Sequence, residues 1–118
     1  MIRGVGVDIE SVGRIEKALN TRGERFLKRV FTGSEAAYCL GMPRPAIHLA
    51  GRFAAKEAVK KAAGAGRRWT DIEIINDENR KPVVHIKNQD KGVIINLSIS
   101  HSDDYAVAFA TFEEKIES

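Results

Sequence analysis

Cysteine is nearly missing from this chain. Cys39 is the only one in 118 residues, so no internal disulfide can form and nothing calls for an oxidising compartment. Long apolar runs are missing too: none approaches the ~20 residues needed to cross a bilayer. The N-terminal stretch Met1-Ile2-Arg3-Gly4 lacks the basic-then-apolar layout of a secretory signal. These absences argue against a membrane-spanning or secreted protein and make the cytoplasm the default location. Internal repeats, linkers and low-complexity segments are also absent, so the sequence reads as a single domain over residues 1–118.

What is present is ordinary for a globular enzyme or binding module, with 43% hydrophobic and 30% charged residues. The net charge of +3 favours an anionic partner, and nucleic acid, an acidic protein or a phosphorylated small molecule would each satisfy it. The charge is concentrated. Between Arg14 and Arg29 six basic residues stand against two acidic ones, which is either a solvated helical face or a docking surface.

Val5, Val7 and Ile9 alternate as in a strand with one buried face. Ser11 can cap a helix reaching about Asn20, and a second helical piece spans Glu24 to Val30. Thr32-Gly33-Ser34-Glu35 has the capping-box pattern for a third. Pro43 and Pro45 break the chain before the longest helical candidate, Ala46 to Ala63, which Gly64 closes. Strands follow at Ile72–Ile75, Val83–Ile86, Val93–Ile99 and Tyr105–Phe112, with Asn76 to Pro82 turning between the first two. The expected class is α+β, an antiparallel sheet packed with one long and several short helices.

Three places break the local pattern. Asp8 ends an apolar strand, and on the face opposite the valines it is either solvent-exposed or a rigidly held magnesium ligand. Phe53, Glu57 and Lys61 are i, i+4 neighbours on one helix face beside a stripe of Ala50, Ala54, Ala58 and Ala62. An ordinary Glu–Lys surface pair explains the charges, whereas the aromatic suits a partly covered cleft. Ser100-His101-Ser102 could bind a phosphate, but adjacent strand residues point to opposite faces, which disfavours a Ser/His hydrolase. His48 reads as a helix-surface histidine and His85 as a strand histidine, neither with a role, Trp69 as a packing residue and Cys39 as a small buried apolar one.

In order and spacing these places resemble the holo-acyl-carrier-protein synthases of the phosphopantetheinyl transferase superfamily. Gly4-Val5-Gly6-Val7-Asp8-Ile9-Glu10 with Arg14-Ile15 looks like the family's first motif. Gly51-Arg52-Phe53-Ala54-Ala55-Lys56-Glu57-Ala58 with Lys61-Ala62 is similar to its second, and Ser98 to Ser102 to its third. The departures are Arg80 in place of the glycine of an Asn-Gly-Lys-Pro turn, and a short Gly64-Ala65-Gly66 stretch. With arginine there, either Asn79 takes the left-handed position or the turn type differs.

The resemblance implies the phosphopantetheinyl transferase fold and transfer of 4′-phosphopantetheine from coenzyme A to a serine of an apo-acyl carrier protein, in fatty acid biosynthesis. It implies that Asp8 and Glu57 bind Mg2+, with Glu57 the candidate general base, and that Lys61 neutralises the pyrophosphate. Arg52 and His101 would hold the nucleotide's phosphates, including the 3′-phosphate, and Arg14, Arg22 and Arg25 would receive the acidic carrier. It further implies a cytoplasmic homotrimer with active sites at subunit boundaries. Two rivals come from other classes. A nucleic-acid-binding module built on Arg67-Arg68-Trp69 has no use for Asp8 and Glu57, and a metal-dependent phosphohydrolase would ignore carrier proteins.

Overall fold

The computed structural model describes residues 1–64, 66–89 and 91–115; Ala65, within the short glycine-rich stretch, lies outside them. Strand β1 (Ile2–Ser11) leads into helices α1 (Val12–Arg22), α2 (Glu24–Val30) and α3 (Gly33–Leu40), and then into the long helix α4 (Pro45–Ala63). A 3-10 turn at Trp69–Asp71 precedes strands β2 (Ile72–Asn76), β3 (Pro82–Ile86), β4 (Val93–His101) and β5 (Tyr105–Glu114). The α+β class holds, but the strands divide into two antiparallel sheets. One is ordered β1-β5-β4, and the hairpin β2-β3 stands apart from it.

Local chemistry accounts for the helix boundaries. Ser11 Oγ accepts the Arg14 N–H at 3.2 Å and starts α1. Gly23, at φ 53°, ends α1 and donates its N–H to Leu19 O. Thr32 and Glu35 form the full capping box of α3. Pro45 occupies the first turn of α4, where a missing N–H costs nothing, and Gly64 at φ 96° closes the helix. None of the helices described is long and apolar enough to cross a membrane.

Helix α4 lies across the three-stranded sheet and is buried along most of its length. Ala54, Ala58, Ala62, Ala108 and Ala110 form the seam with the sheet, and Ile72 and Ile74 of the hairpin complete that cluster. Phe26, Phe31, Cys39 and Leu49 belong to a second cluster beneath the short helices. Cys39 is fully buried, and desolvation pushes its thiol up to about 12, so it is inert packing.

The face of β1 that the valines suggested would be buried is open in the single chain. Val5, Val7 and Ile9 are 58%, 56% and 63% exposed, and they continue into Tyr105, Val107 and Phe109 of the paired strand β5. The covered face carries the small residues instead. A Cβ on Gly4 would stand 2.0 Å from Ala62 O, and one on Gly6 would stand 2.0 Å from Ala58 O. Only a face without side chains lets the helix backbone come so near.

Candidate active site

Because the strand alternates, the glycine face of β1 is also the face of Asp8 and Glu10. The close approach of α4 therefore decides where Asp8 goes. Lys61 Nζ, near the end of α4, donates to Val7 O at 3.0 Å and lies 3.4 Å from Asp8 Oδ1. Lys61 is thus paired with the strand's carboxylate rather than with Glu57, its i−4 neighbour. Asp8 is not solvent-exposed: its side chain is 15% accessible, and Oδ2 is buried without a hydrogen-bond partner. Burial pushes the Asp8 carboxyl up, against the lowering influence of Lys61.

Glu57 lies half-buried one turn before Lys61. Its charge reaches the same neighbourhood, because the Glu10 carboxyl is pushed up first by burial and then by the charges of Asp8 and Glu57. Glu10 belongs to the first sequence motif but was given no role there. Its i+2 spacing from Asp8 on a strand was the available signal. Among the described residues no three His, Cys, Asp or Glu side chains gather into a ready-made metal cage. Two carboxylates with an orphaned buried oxygen fit a hard cation that takes its other oxygens from water and substrate phosphates.

The neighbouring Lys56 is used quite differently. It is fully buried, paired with Glu35, and donates to Val30 O at 2.7 Å and Trp69 O at 2.9 Å. Glu35 in turn accepts from the N–H groups of Thr32 and Ile74, each at 2.8 Å. Lys56 therefore ties α4 to the end of α2, the 3-10 turn and α3, and Glu35 extends the tie to the hairpin.

Five residues separate Arg52 from Glu57, a rotation of about 140° around the helix. Arg52 accordingly faces another groove, of about 190 Å³, with Tyr38, His48, Asn76, Arg80 and His101. It donates to Asn76 Oδ1 at 3.2 Å and lies 4.8 Å from the Tyr38 ring centre. Arg52 and His101 line the same groove, as does His48, whose ring lies 5.6 Å from that of His101. His48 is partly buried and lines this groove. The hydroxyl–imidazole cluster, by contrast, comes apart. Ser100 pairs with Val107 on the open face, while Ser102 Oγ accepts the N–H groups of Asp104 and Tyr105 in the turn.

In the hairpin turn it is Arg80, not Asn79, that takes the left-handed backbone, with φ 62°. That conformation costs about 1–2 kcal/mol for a residue with a Cβ. Arg14 lines a groove of about 510 Å³ with Glu10 and Phe53. Arg22 and Arg25 line an adjoining one of about 640 Å³, floored by Phe26, Phe53 and Trp69. Trp69 is the packing residue expected, 4.9 Å from Phe53 between ring centres.

The same arrangement of chain and motifs is found in known proteins. A family model described as the 4′-phosphopantetheinyl transferase superfamily matches residues 4–110. The holo-[acyl-carrier-protein] synthase of Protochlamydia amoebophila is 48% identical over 120 residues, covering 95% of this chain and 98% of that protein. This chain belongs to the holo-acyl-carrier-protein synthase family. The crystal structure of a holo-acyl-carrier-protein synthase from Bacillus anthracis in complex with CoA (3′,5′-ADP) is similar at TM-score 0.85 and 40% identity. That match covers 98% of this chain and 99% of the other. The Helicobacter pylori holo-acyl-carrier-protein synthase in complex with coenzyme A gives TM-score 0.80 at 29% identity, covering 92% and 99% of the two chains. The stretch Gly51–Ala58 is the centre of α4, and Gly4–Glu10 lies in the strand keyed against that helix.

Proposed function

We propose that Asp8 and Glu57 hold the magnesium ion for the reaction this chain catalyses. That reaction is transfer of 4′-phosphopantetheine from coenzyme A to a serine of an apo-acyl carrier protein, in fatty acid biosynthesis. The observation that carries the metal assignment is the buried, unpartnered Oδ2 of Asp8, in a neighbourhood that the charge of Glu57 also reaches through Glu10. A buried carboxylate oxygen without a donor is costly unless a cation satisfies it. When bound, magnesium would polarise the pyrophosphate of coenzyme A and draw off developing charge. Lys61, half-exposed and held by Val7 O, supplies a further positive charge to the same pyrophosphate. The serine oxygen of the carrier attacks the phosphorus next to pantetheine as the bond to adenosine 3′,5′-bisphosphate breaks. Glu57 takes the serine proton. Arg52 and His101 hold nucleotide phosphates in the second groove, and Arg14, Arg22 and Arg25 present a basic face to the acidic carrier.

The open apolar face of β1 and β5 belongs to the same proposal. Val5, Val7, Ile9, Val107 and Phe109 form a continuous exposed patch of the kind that marks an association surface. Two further copies of this chain around a threefold axis would cover it and place each active site at a boundary between subunits. The proposed setting is the cytoplasm.

The decisive experiment mixes the protein with coenzyme A, magnesium and an apo-carrier and reads the mass gained by the carrier. Asp8→Ala and Glu57→Ala should each lower transfer by roughly 100-fold or more, with the melting temperature kept. Near-normal turnover of either variant at saturating magnesium overturns the assignment for that residue. Lys61→Ala should slow turnover while magnesium binding persists. In sedimentation, Ile9→Asp or Phe109→Asp should lose trimer and activity together, and a fully active monomer would sink the assembly.

A further inference from the structure

The β2–β3 hairpin carries an arginine where its backbone favours glycine. The Arg80 N–H donates to Asp77 O at 2.9 Å, and Asp77 Oδ1 accepts from the N–H groups of Asn79 and Lys81. The tight turn is therefore followed by a residue in the left-handed region, at φ 62°. Hairpin loops of this kind place glycine at that position because it has no Cβ to strain. Asp77 secures the turn, so the fold has no need of an arginine at its tip.

The Arg80 side chain has a use elsewhere. It lines the groove of Tyr38, His48, Arg52, Asn76 and His101, and an adjoining one with Tyr38, Met42 and Asn76. No carboxylate lines either groove, and the ion pairs among the described residues involve neither arginine. Arg52 is 7% exposed and keeps Nε buried with no partner. His48 is held below its ordinary value first by burial and then by the charges of His101 and Arg52, which marks a region crowded with cations. Two guanidiniums and two imidazoles line one groove, and none of the described residues lining it is a carboxylate that would balance them.

We propose that Arg80 is a substrate-binding residue, adding a second guanidinium to Arg52 around the 3′-phosphate of coenzyme A. The proposal rests on the transferase reading given above. Coenzyme A has two anionic groups to bind. Glu57 and Lys61 lie on a different face of α4, with Asp8 of β1 against Lys61, and take the pyrophosphate, which leaves the monoester for the cationic groove. A phosphate monoester carries close to two charges at neutral pH, and its three oxygens suit a pair of guanidinium forks. Arginine in the glycine position thus accepts local strain in exchange for affinity at a functional site.

Calorimetric titration of the intact protein with coenzyme A and with 3′-dephospho-coenzyme A tests this. Arg80→Gly should weaken coenzyme A by on the order of tenfold and leave the dephospho compound within about twofold, since only the former offers the phosphate. Arg80→Lys should fall between, because it keeps the charge without the fork. The melting temperature of Arg80→Gly should be equal or higher, which separates lost binding from lost fold. Unchanged affinity for coenzyme A in Arg80→Gly, or an equal loss for both ligands, overturns the proposal while leaving the transferase reading standing. Wild-type protein that binds neither ligand overturns both.

Discussion

Two of the three lysines of helix α4, Lys56 and Lys61, stand five residues apart and are treated in opposite ways. Lys56 is 0% exposed and has three acceptors, Glu35, Val30 O and Trp69 O, while Glu35 spends its oxygens on Lys56, Thr32 and Ile74. Nothing in that network is left to bind anything else. Lys61 has a half-exposed side chain, a long contact of 3.4 Å to Asp8, and beside it a buried carboxylate oxygen with no partner. A closed polar network in the interior holds elements together. An open one at the surface is set up to receive a ligand, and the difference lies in the satisfaction of each atom, not in residue type.

Breaking the closed network should have the largest effect. Lys56→Met leaves the Glu35 carboxylate buried without its counter-charge, a loss of about 3–5 kcal/mol. In a chain of this size that lowers the melting temperature by on the order of 10 °C or more. Desolvation already pushes the Lys56 ammonium down, so the pair is held by its geometry rather than by a comfortable environment for charge. Adding Glu35→Gln removes the stranded charge while keeping an acceptor, and should recover part of the loss in a thermal melt. A single variant as stable as the wild type would mean that the pair contributes nothing.

The open network can be disturbed from behind. Gly6→Ala places a Cβ against the carbonyl of Ala58, which cannot rotate away, so β1 must lift from α4. Overpacking of this kind costs about 1–3 kcal/mol, and the same displacement should separate Asp8 from Lys61 and cut transfer more than it cuts stability. Gly13→Ala is the control, since its nearest atom would be 3.7 Å away. The comparison fails if both substitutions reduce activity equally.

The smallest effect is expected on the basic face, away from both lysines. Charge reversal at Arg14, or at Arg22 and Arg25 together, should raise KM for the carrier several-fold, roughly 1 kcal/mol, with little change for coenzyme A. Added salt should shrink the difference, because exposed charges are screened. Equal shifts for both substrates would place the carrier elsewhere.

Much of this was legible in the sequence where local chemistry decides the outcome. Ser11, the Thr32/Glu35 box, Gly23 and Gly64 mark helix ends whether or not anything packs on them. The carboxylates and Lys61 could also be selected, because their spacing places them on defined strand and helix faces. What could not be read was which face of β1 is covered. Alternating valines normally point inward, but here Gly4 and Gly6 win the inner face through contact with backbone carbonyls, which no hydropathy pattern encodes. The burial of Lys56 carried no sequence signal because its partners, Val30, Glu35 and Trp69, are scattered through the chain. His48 and His101 are 53 positions apart by number and meet only through the fold, and the left-handed position fell on Arg80 against the preference of Asn79.

The glycine-to-carbonyl keying of β1 and α4 also bears on motion. A strand and helix separated by side chains can slide as those side chains change rotamer, but here backbone rests on backbone, and a shift of one residue, about 1.5 Å along the helix, would bring a different carbonyl against the glycines. Asp8 and Lys61 are therefore carried on a single rigid body, and their separation cannot be tuned by breathing between layers. Any adjustment during turnover must come from what surrounds that body: the hairpin with Arg80, in a separate sheet, and the short basic helices beside it.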